Sequence, residues 1–148
     1  MSAALFVAGV AVSGSDGGSS AGAVVKTAYN KELGKTILVA GNGMTLYMFT
    51  GDTGGTSICT GDCVPIWPAL TSVGKPVAGP GVKAALLSTA KGVNGKPQAV
   101  YNRHPLYTFH GGGIAGAGDR QPGDVNGQNL FGAWFVLSPN GAPIKKQL

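Results

Sequence analysis

Short apolar runs, separated by turns rich in glycine and asparagine, occupy the chain from residue 23 onward. Runs of aliphatic, aromatic and β-branched residues bounded by such turns are typical of strands. The pattern predicts strands over residues 24–29, 36–40, 45–49, 98–101, 106–109 and 134–137. Asn-Gly pairs, which favour tight turns, follow at 42–43, 94–95 and 140–141.

Only residues 82–90, with the sequence VKAALLSTA, predict a helix. One short helix does not change the class, so the predicted fold is all-β, a compact sandwich or barrel-like domain. Gly and Pro number 26 and 9, but 43% of the residues are apolar and the glycines keep no period of three. This composition excludes a collagen and a disordered chain, and it predicts one domain over residues 23–148.

An internal duplication divides this domain into two predicted β units. Residues 46–51 match residues 106–111 at an offset of 60, and residues 67–70 match residues 134–137 at an offset of 67. The units cover about 36–73 and 97–139, and the second carries about seven extra residues, which we assign to the glycine-rich stretch 111–118. The aromatic residues of both units are predicted to be structural and to form a shared core: Tyr47, Phe49, Trp67, Tyr107, Phe109 and Trp134.

Residues 1–22 are interpreted as an export-derived apolar segment followed by a Gly/Ser-rich tether. The apolar run at 3–12 would span about 15 Å as a helix, half a bilayer, so no transmembrane span is predicted. Val12-Ser13-Gly14-Ser15 is similar to a lipoprotein cleavage box with Ser15 in place of the lipid-carrying cysteine. Cleavage and lipidation are therefore both left open.

Cys59 and Cys63 are the two cysteines of the chain, and a glycine lies between them. This spacing suits a disulfide, whereas a structural zinc site needs four ligands. A disulfide predicts an oxidising, extracytoplasmic compartment. The net charge of +5 is spread along the chain, with no run longer than two, so nucleic-acid binding is not predicted.

The residues able to carry chemistry are few, and no cofactor is predicted. Asp-x-Asn-Gly at 124–127 is part of a calcium-loop pattern, and methionine and histidine are suitable copper ligands. Calcium or copper sites are thus alternatives, with these candidate ligands: Met44, Met48, Asp52, His104, His110, Asp124 and Asn126. The two histidines are interpreted as exposed residues at the ends of a strand, and Asp52 as a turn-capping side chain.

The ordered motifs resemble a family of predicted bacterial lipoproteins, the secreted repeats named for a Tyr-x-aromatic-x-x-Asp motif. Tyr47, Phe49 and Asp52 fill that motif, and Cys-x-Gly-x-Cys-x-x-x-Trp-Pro follows it. In the second unit Gly112 stands where the aspartate belongs, unless Asp119 or Asp124 replaces it. The resemblance implies a cell-envelope protein and no established activity.

The leading hypothesis is an exported bacterial envelope protein of structural or binding type, whose partners are envelope components. Self-assembly is left open. One alternative is an envelope module that binds a metal or a redox cofactor. The other is a hydrolase of cell-wall polymer, which would need a carboxylate pair such as Asp52 with Asp124.

Overall fold

The computed structural model describes residues 22–93 and 95–148. The predicted all-β class is confirmed, since these residues form short strands, one helical turn and two 3₁₀ turns. The strands are β1 (Val24–Asn30), β2 (Lys35–Ala40), β3 (Tyr47–Phe49), β4 (Val77–Ala78), β5 (Leu87–Lys91), β6 (Pro97–Tyr101), β7 (His104–Pro105) and β8 (Trp134–Val136). The helix α1 is Cys63–Ile66, and the 3₁₀ turns are Ala84–Leu86 and Gly113–Ala115.

The strands lie in three small sheets, in the orders β2-β1-β4, β3-β8 and β5-β6-β7. β1 pairs with β2 along its length and with β4 only through Val24 and Val25. An isolated bridge between Tyr47 and Tyr107 connects β3 to the segment after β7. The domain bounds and the internal duplication stay predictions.

Two of the predictions fall partly outside the described residues. The apolar segment and tether at 1–22 are described only from Gly22 onward. The predicted turn at 94–95 includes Asn94, which also lies outside the described residues. Around it, β5 and β6 form an antiparallel pair, and the Gly92 N–H donates to the Lys96 carbonyl at 2.8 Å. No helix within 22–93 or 95–148 is long and apolar enough to cross a membrane.

The helix predicted over residues 82–90 is wrong. Only Ala84–Leu86 form a 3₁₀ turn, and the chain then continues as β5. Leu87 is buried in the core opposite Tyr101, and the next residues pair with β6. Tertiary pairing therefore overrides the helical propensity of the consecutive alanines and leucines at 84–87.

The strand predicted over residues 106–109 is also wrong, because consecutive residues bond to different segments. The N–H groups of Leu106, Tyr107 and Thr108 donate to the carbonyls of Ala99, Tyr47 and Pro68. No single neighbour accompanies the segment for long enough to form a ladder. The extended alternation is nevertheless present, and it places Tyr107 at a junction of three chain segments.

Alternating residues of β2, β3 and β8 divide the interior into two clusters. Ile37 and Val39 belong to the aromatic cluster around Tyr47 and Trp67, whereas Leu38 belongs to a second, largely aliphatic cluster. Side chains of successive strand residues point to opposite faces. These three strands therefore form a common wall between two cores, which places their side chains on both faces in apolar surroundings.

Cys59 and Cys63 are joined by a disulfide, with their Cα atoms 5.4 Å apart, as the spacing predicted. Cys63 also begins α1, and the Trp67 N–H donates to the Cys63 carbonyl at 2.8 Å. The crosslink therefore holds the turn that delivers Trp67 to the aromatic core.

Replacing both cysteines, Cys59→Ala with Cys63→Ala, is expected to lower the free energy of unfolding by about 2 kcal/mol, the chain-entropy value for a five-residue ring. Urea unfolding of the full chain measures this. Reductant should lower the stability of the wild type and leave the double variant unchanged. Equal midpoints for both proteins would contradict a stabilising crosslink.

Candidate functional site

The tyrosines of the two predicted units face each other as antiparallel partners at the centre of the aromatic cluster. The Tyr47 N–H donates to the Tyr107 carbonyl at 2.9 Å, and the Tyr107 N–H donates to the Tyr47 carbonyl at 3.0 Å. Both side chains are buried. In such a pair the two side chains project from the same face of the ladder, so both phenols enter one core.

Each tyrosine hydroxyl donates to an aspartate of the other predicted unit. The Tyr107 hydroxyl lies 2.6 Å from Oδ2 of Asp52, and the Tyr47 hydroxyl lies 2.6 Å from Oδ2 of Asp119. Asp52 was interpreted as capping its own turn, but its side chain also reaches across to the other unit. The two hydrogen bonds therefore cross between the units.

Asp119 occupies the structural position of the motif aspartate in the second predicted unit, where the sequence spacing places Gly112. The Asp52 N–H donates to the Phe49 carbonyl at 3.1 Å, and the Asp119 N–H donates to the Phe109 carbonyl at 2.9 Å. The residues from 111 to 117 fold back on themselves through a bridge between Gly111 and Ala117. The extra residues thus form a closed loop, after which the chain returns to the same position beside its phenylalanine.

The second oxygen of each carboxylate and both phenol oxygens also have partners. Oδ1 of Asp52 accepts the Ile58 N–H, and Oδ1 of Asp119 accepts the Asn126 N–H, each at 2.8 Å. The Tyr47 hydroxyl accepts the Gly127 N–H, and the Tyr107 hydroxyl is paired with Ser57. Within the described ranges, every buried side-chain nitrogen or oxygen has a hydrogen-bond partner.

The remaining motif residues form an aromatic cluster around these pairs. The rings of Trp67 and Trp134 stack in parallel with centroids 3.8 Å apart. Tyr47 meets Trp67 edge-on at 5.2 Å, and Tyr107 meets Trp134 edge-on at 5.1 Å. Phe49 covers Trp134 at 4.4 Å, and Phe109 lies over Trp67 at 4.3 Å. Offset and edge contacts of this kind add about 0.5–1.5 kcal/mol each to the burial of the rings.

Burial governs the protonation of both pairs. It raises the pKa of Asp119 to about 6, with the nearby charge of Asp124 adding to the rise and hydrogen bonds from Tyr47 and Asn126 opposing it. Burial likewise raises the pKa of Asp52, against hydrogen bonds from Tyr107 and Ile58. The pKa values of Tyr47 and Tyr107 rise well above 10 for the same reason. The phenols therefore remain protonated donors at every physiological pH.

Two of the candidate metal ligands, Asp124 and Asn126, bond to neighbouring backbone groups. Asp124 Oδ2 accepts the Arg120 and Gln121 N–H groups, and the Asn126 side chain donates to the Gly118 carbonyl. Within residues 22–93 and 95–148, no three His, Cys, Asp or Glu side chains group to hold a metal ion. His110 is exposed as expected.

His104 is half-buried rather than exposed. Burial lowers the pKa of its imidazole, while the negative charge of Asp52 partly offsets the change. The strand that was expected to carry both histidines is absent, because β7 ends at Pro105. Asp124 is the second carboxylate of the predicted hydrolase pair. Its negative charge instead adds to the rise in the pKa of Asp119.

A cavity of about 200 Å³ lies beside the Asp52–Tyr107–Ser57 chain of hydrogen bonds. Its polar lining comes from Ser57, Thr71, Lys96, Gln98 and Tyr107, and Trp67 contributes an apolar wall. A row of hydrogen-bonded polar side chains that ends at a small cavity resembles a binding site. Here, however, the innermost side chains already bond to each other.

The sequence offered Asp119, together with Asp124, as a replacement for the missing aspartate, but it did not identify Asp119 as the partner of Tyr47. Ser57 and Gly127 were not identified at all. For Asp119 a signal was present, because the offset of 67 that relates Trp67 to Trp134 also relates Asp52 to Asp119. Ser57 carries no such signal. Gly127 donates through its backbone, which any residue could do, but a Cβ there would lie 2.6 Å from the Trp67 ring.

Tyr47→Phe and Tyr107→Phe are each expected to lower the free energy of unfolding by about 1–3 kcal/mol, because each leaves a buried carboxylate oxygen without its donor. Tyr29→Phe is the matched control, since the Tyr29 side chain is 67% exposed and its change should stay within about 0.5 kcal/mol. Urea unfolding measures all three. Losses equal to the control would show that the crossing hydrogen bonds do not stabilise the fold.

The raised pKa of Asp119 makes stability depend on pH. Between the unfolded value of 3.8 and about 6, the folded protein holds a proton that the unfolded chain has released. The stability from Asp119 is thus full below the unfolded pKa and is lost as pH rises through about 6.

Wild type should therefore gain about 1–3 kcal/mol relative to Asp119→Asn when the pH falls from 7 to 4. Comparison with the variant removes the effects of Asp52 and of His104, whose lowered pKa acts in the opposite direction. Unfolding free energies measured for both proteins across this range test it. A constant difference between them would contradict the raised pKa.

Residues 27–71 match the family model of a secreted repeat of unknown function. No curated protein and no solved structure matches the chain. The matched segment includes Tyr47, Phe49, Asp52, both cysteines and Trp67, which are the residues that carried the resemblance. The predicted resemblance to a secreted-repeat family of unknown function is thus confirmed over residues 27–71.

Proposed function

We propose that the protein is an exported, non-catalytic binding domain of the bacterial cell envelope, in which the Tyr-x-aromatic-x-x-Asp motif maintains the fold. One observation carries the proposal: both Tyr–Asp pairs are buried, and their oxygens are occupied by internal hydrogen bonds. A general acid or base must reach a substrate proton. The phenol and carboxyl groups of these pairs instead hydrogen-bond to each other.

The raised pKa of Asp119 is the strongest argument for catalysis, because perturbed carboxyl groups cluster at active sites. Desolvation is its largest cause, however, and the residue is 8% exposed. A hydrolase also needs a second carboxylate on the opposite side of the substrate. The neighbouring Asp124 is instead bonded to the backbone of its own turn. A structural role explains the same shift with no substrate.

Export is supported by two independent features. The matched family is described as secreted, and the disulfide between Cys59 and Cys63 is typical of oxidising compartments. The net charge of +5 adds a weak attraction to the anionic polymers of an envelope. Binding, rather than catalysis, is the role that these features and the saturated motif support together.

Cosedimentation of the full chain with isolated bacterial envelopes tests the proposal. It should be done at physiological salt, where the Debye length is about 8 Å and the effect of net charge is reduced. The full chain is expected to sediment with the envelopes, and a basic protein of equal net charge is not. Absence of sedimentation would contradict a binding role.

The variants Asp52→Asn and Tyr47→Phe distinguish a motif that only maintains the fold from a motif that binds the envelope directly. Binding per folded molecule should be unchanged in both, because the motif acts only through the fold. Thermal unfolding of the same samples gives the folded fraction. A variant that keeps its melting temperature and loses envelope binding would show that the motif is itself the binding site.

A further inference from the structure

β5 is the outer strand of the sheet β5-β6-β7, and one of its edges has no neighbouring strand among residues 22–93 and 95–148. The Gly92 N–H donates to the Lys96 carbonyl at 2.8 Å, so Gly92 faces β6. Because residues of an antiparallel pair face their partner alternately, Ser88 and Ala90 also face β6. The other three strand residues direct their backbone groups away from β6: Leu87, Thr89 and Lys91.

The outward backbone groups form an incomplete ladder. The Leu87 N–H is already used, because it donates to the Ala84 carbonyl of the preceding 3₁₀ turn. The edge then offers the Leu87 carbonyl, both backbone groups of Thr89 and the Lys91 N–H, in a row about 14 Å long. No hydrogen bond between described residues uses these groups.

β5 lacks most of the features by which proteins protect an open edge. Such features are short length, charged side chains, prolines and bulges. The sequence LSTAK has its one charge at the last residue and no proline, and its pairing with β6 is continuous. By contrast, the outer strands β4 and β7 have two residues each. β5 is therefore open to pairing with a further strand.

A second copy of β5 matches the row of outward groups when it runs antiparallel. With Thr89 opposite Thr89 of the second copy, the two residues exchange both of their N–H···O bonds. The Lys91 N–H of each copy then lies opposite the Leu87 carbonyl of the other. All four offered groups are paired in this register, and the Leu87 N–H is not needed.

The positive charges select the antiparallel arrangement. A parallel pair in register would bring the two Lys91 side chains together, and like charges directly opposite are destabilising. In the antiparallel register each Lys91 lies opposite Leu87 instead. The two lysines are then four residues apart along the strands, about 14 Å. This distance exceeds the Debye length of about 8 Å at physiological salt.

The side chains favour a second copy over an unrelated peptide. Thr89 would lie against Thr89 and Ser88 against Ala90, and threonine pairs across strands add a small stabilisation. A peptide bound at a sheet edge gains specificity from pockets for its alternate side chains. The hollow of about 270 Å³ beside β5 has no aromatic or large aliphatic residue in its lining. It therefore offers a peptide no apolar anchor.

We propose that two copies of this chain pair antiparallel through the open edge of β5, with Thr89 at the twofold axis, and so join two three-stranded sheets into one of six strands. The inference is independent of the proposed envelope binding, because it depends on backbone groups of β5. Five residues a side bury less than the roughly 1,200 Å² of stable complexes. The dimer is therefore expected to be transient.

Amide NMR of the full chain between about 20 µM and about 1 mM is the first test. The shifts of the Thr89 and Lys91 amides should change with concentration, and their hydrogen exchange should slow, because these N–H groups enter the new ladder. The Ser88 and Ala90 amides are the control within the same strand. They already face β6, so their exchange should change much less.

Charged variants at Thr89 test the register. Thr89→Lys and Thr89→Glu should each raise the dimer dissociation constant about fivefold in sedimentation equilibrium, because like charges then meet at the axis. An equal mixture of the two should restore at least the wild-type association. Thr36→Lys and Thr36→Glu are matched controls for net charge, since Thr36 is an exposed threonine of β2. Neither control should change the constant by itself or when mixed.

The possible outcomes separate the occupants of the edge. Loss of association in both Thr89 variants with recovery in their mixture supports the twofold dimer. A chain that stays monomeric at about 1 mM overturns it and leaves an extended peptide as the occupant to seek. Association that is equal in the Thr89 and Thr36 variants, or that is not restored by mixing, places the contact elsewhere and also overturns the proposal.

Discussion

The crossing hydrogen bonds between tyrosines and aspartates are the constraint on which the rest of this structure depends. A buried carboxylate is costly unless donors surround it, and here each one receives a phenol O–H from the other predicted unit and a backbone N–H from its own side. Neither predicted unit supplies both donors of its own aspartate, so the two hydrogen bonds stabilise the contact between the units.

The aromatic stack is coupled to the same constraint. Each tyrosine that reaches an aspartate also lies edge-on to an indole, and the two indoles stack on each other. Moving one phenol would break a hydrogen bond and change a ring contact at once. The disulfide acts on the cluster through the turn before Trp67. Hydrogen bonds, ring packing and the crosslink thus fix one arrangement, which explains how a chain with 26 glycines holds a defined core.

Local pattern was enough to predict the class, the positions of β1, β2, β6 and β8 within about a residue at either end, and the disulfide, because each depends on neighbours in sequence. Local pattern failed where pairing with residues distant in sequence determines the structure. Residues 87–91 become a strand through β6, and Tyr107 is extended without belonging to a ladder. For the site, Asp52 was identified by its motif, whereas Asp119 was one of two candidates and was left undecided although the offset of 67 relates it to Asp52. Ser57 lay beyond any sequence pattern, since its contact with Tyr107 spans 50 residues.

A saturated interior has a consequence for where recognition can occur. The motif oxygens already have partners, and a ligand would have to displace hydrogen bonds that support both cores. Such displacement carries the desolvation penalty of a buried charge. Under the proposed function, recognition therefore falls to residues outside the Tyr–Asp pairs.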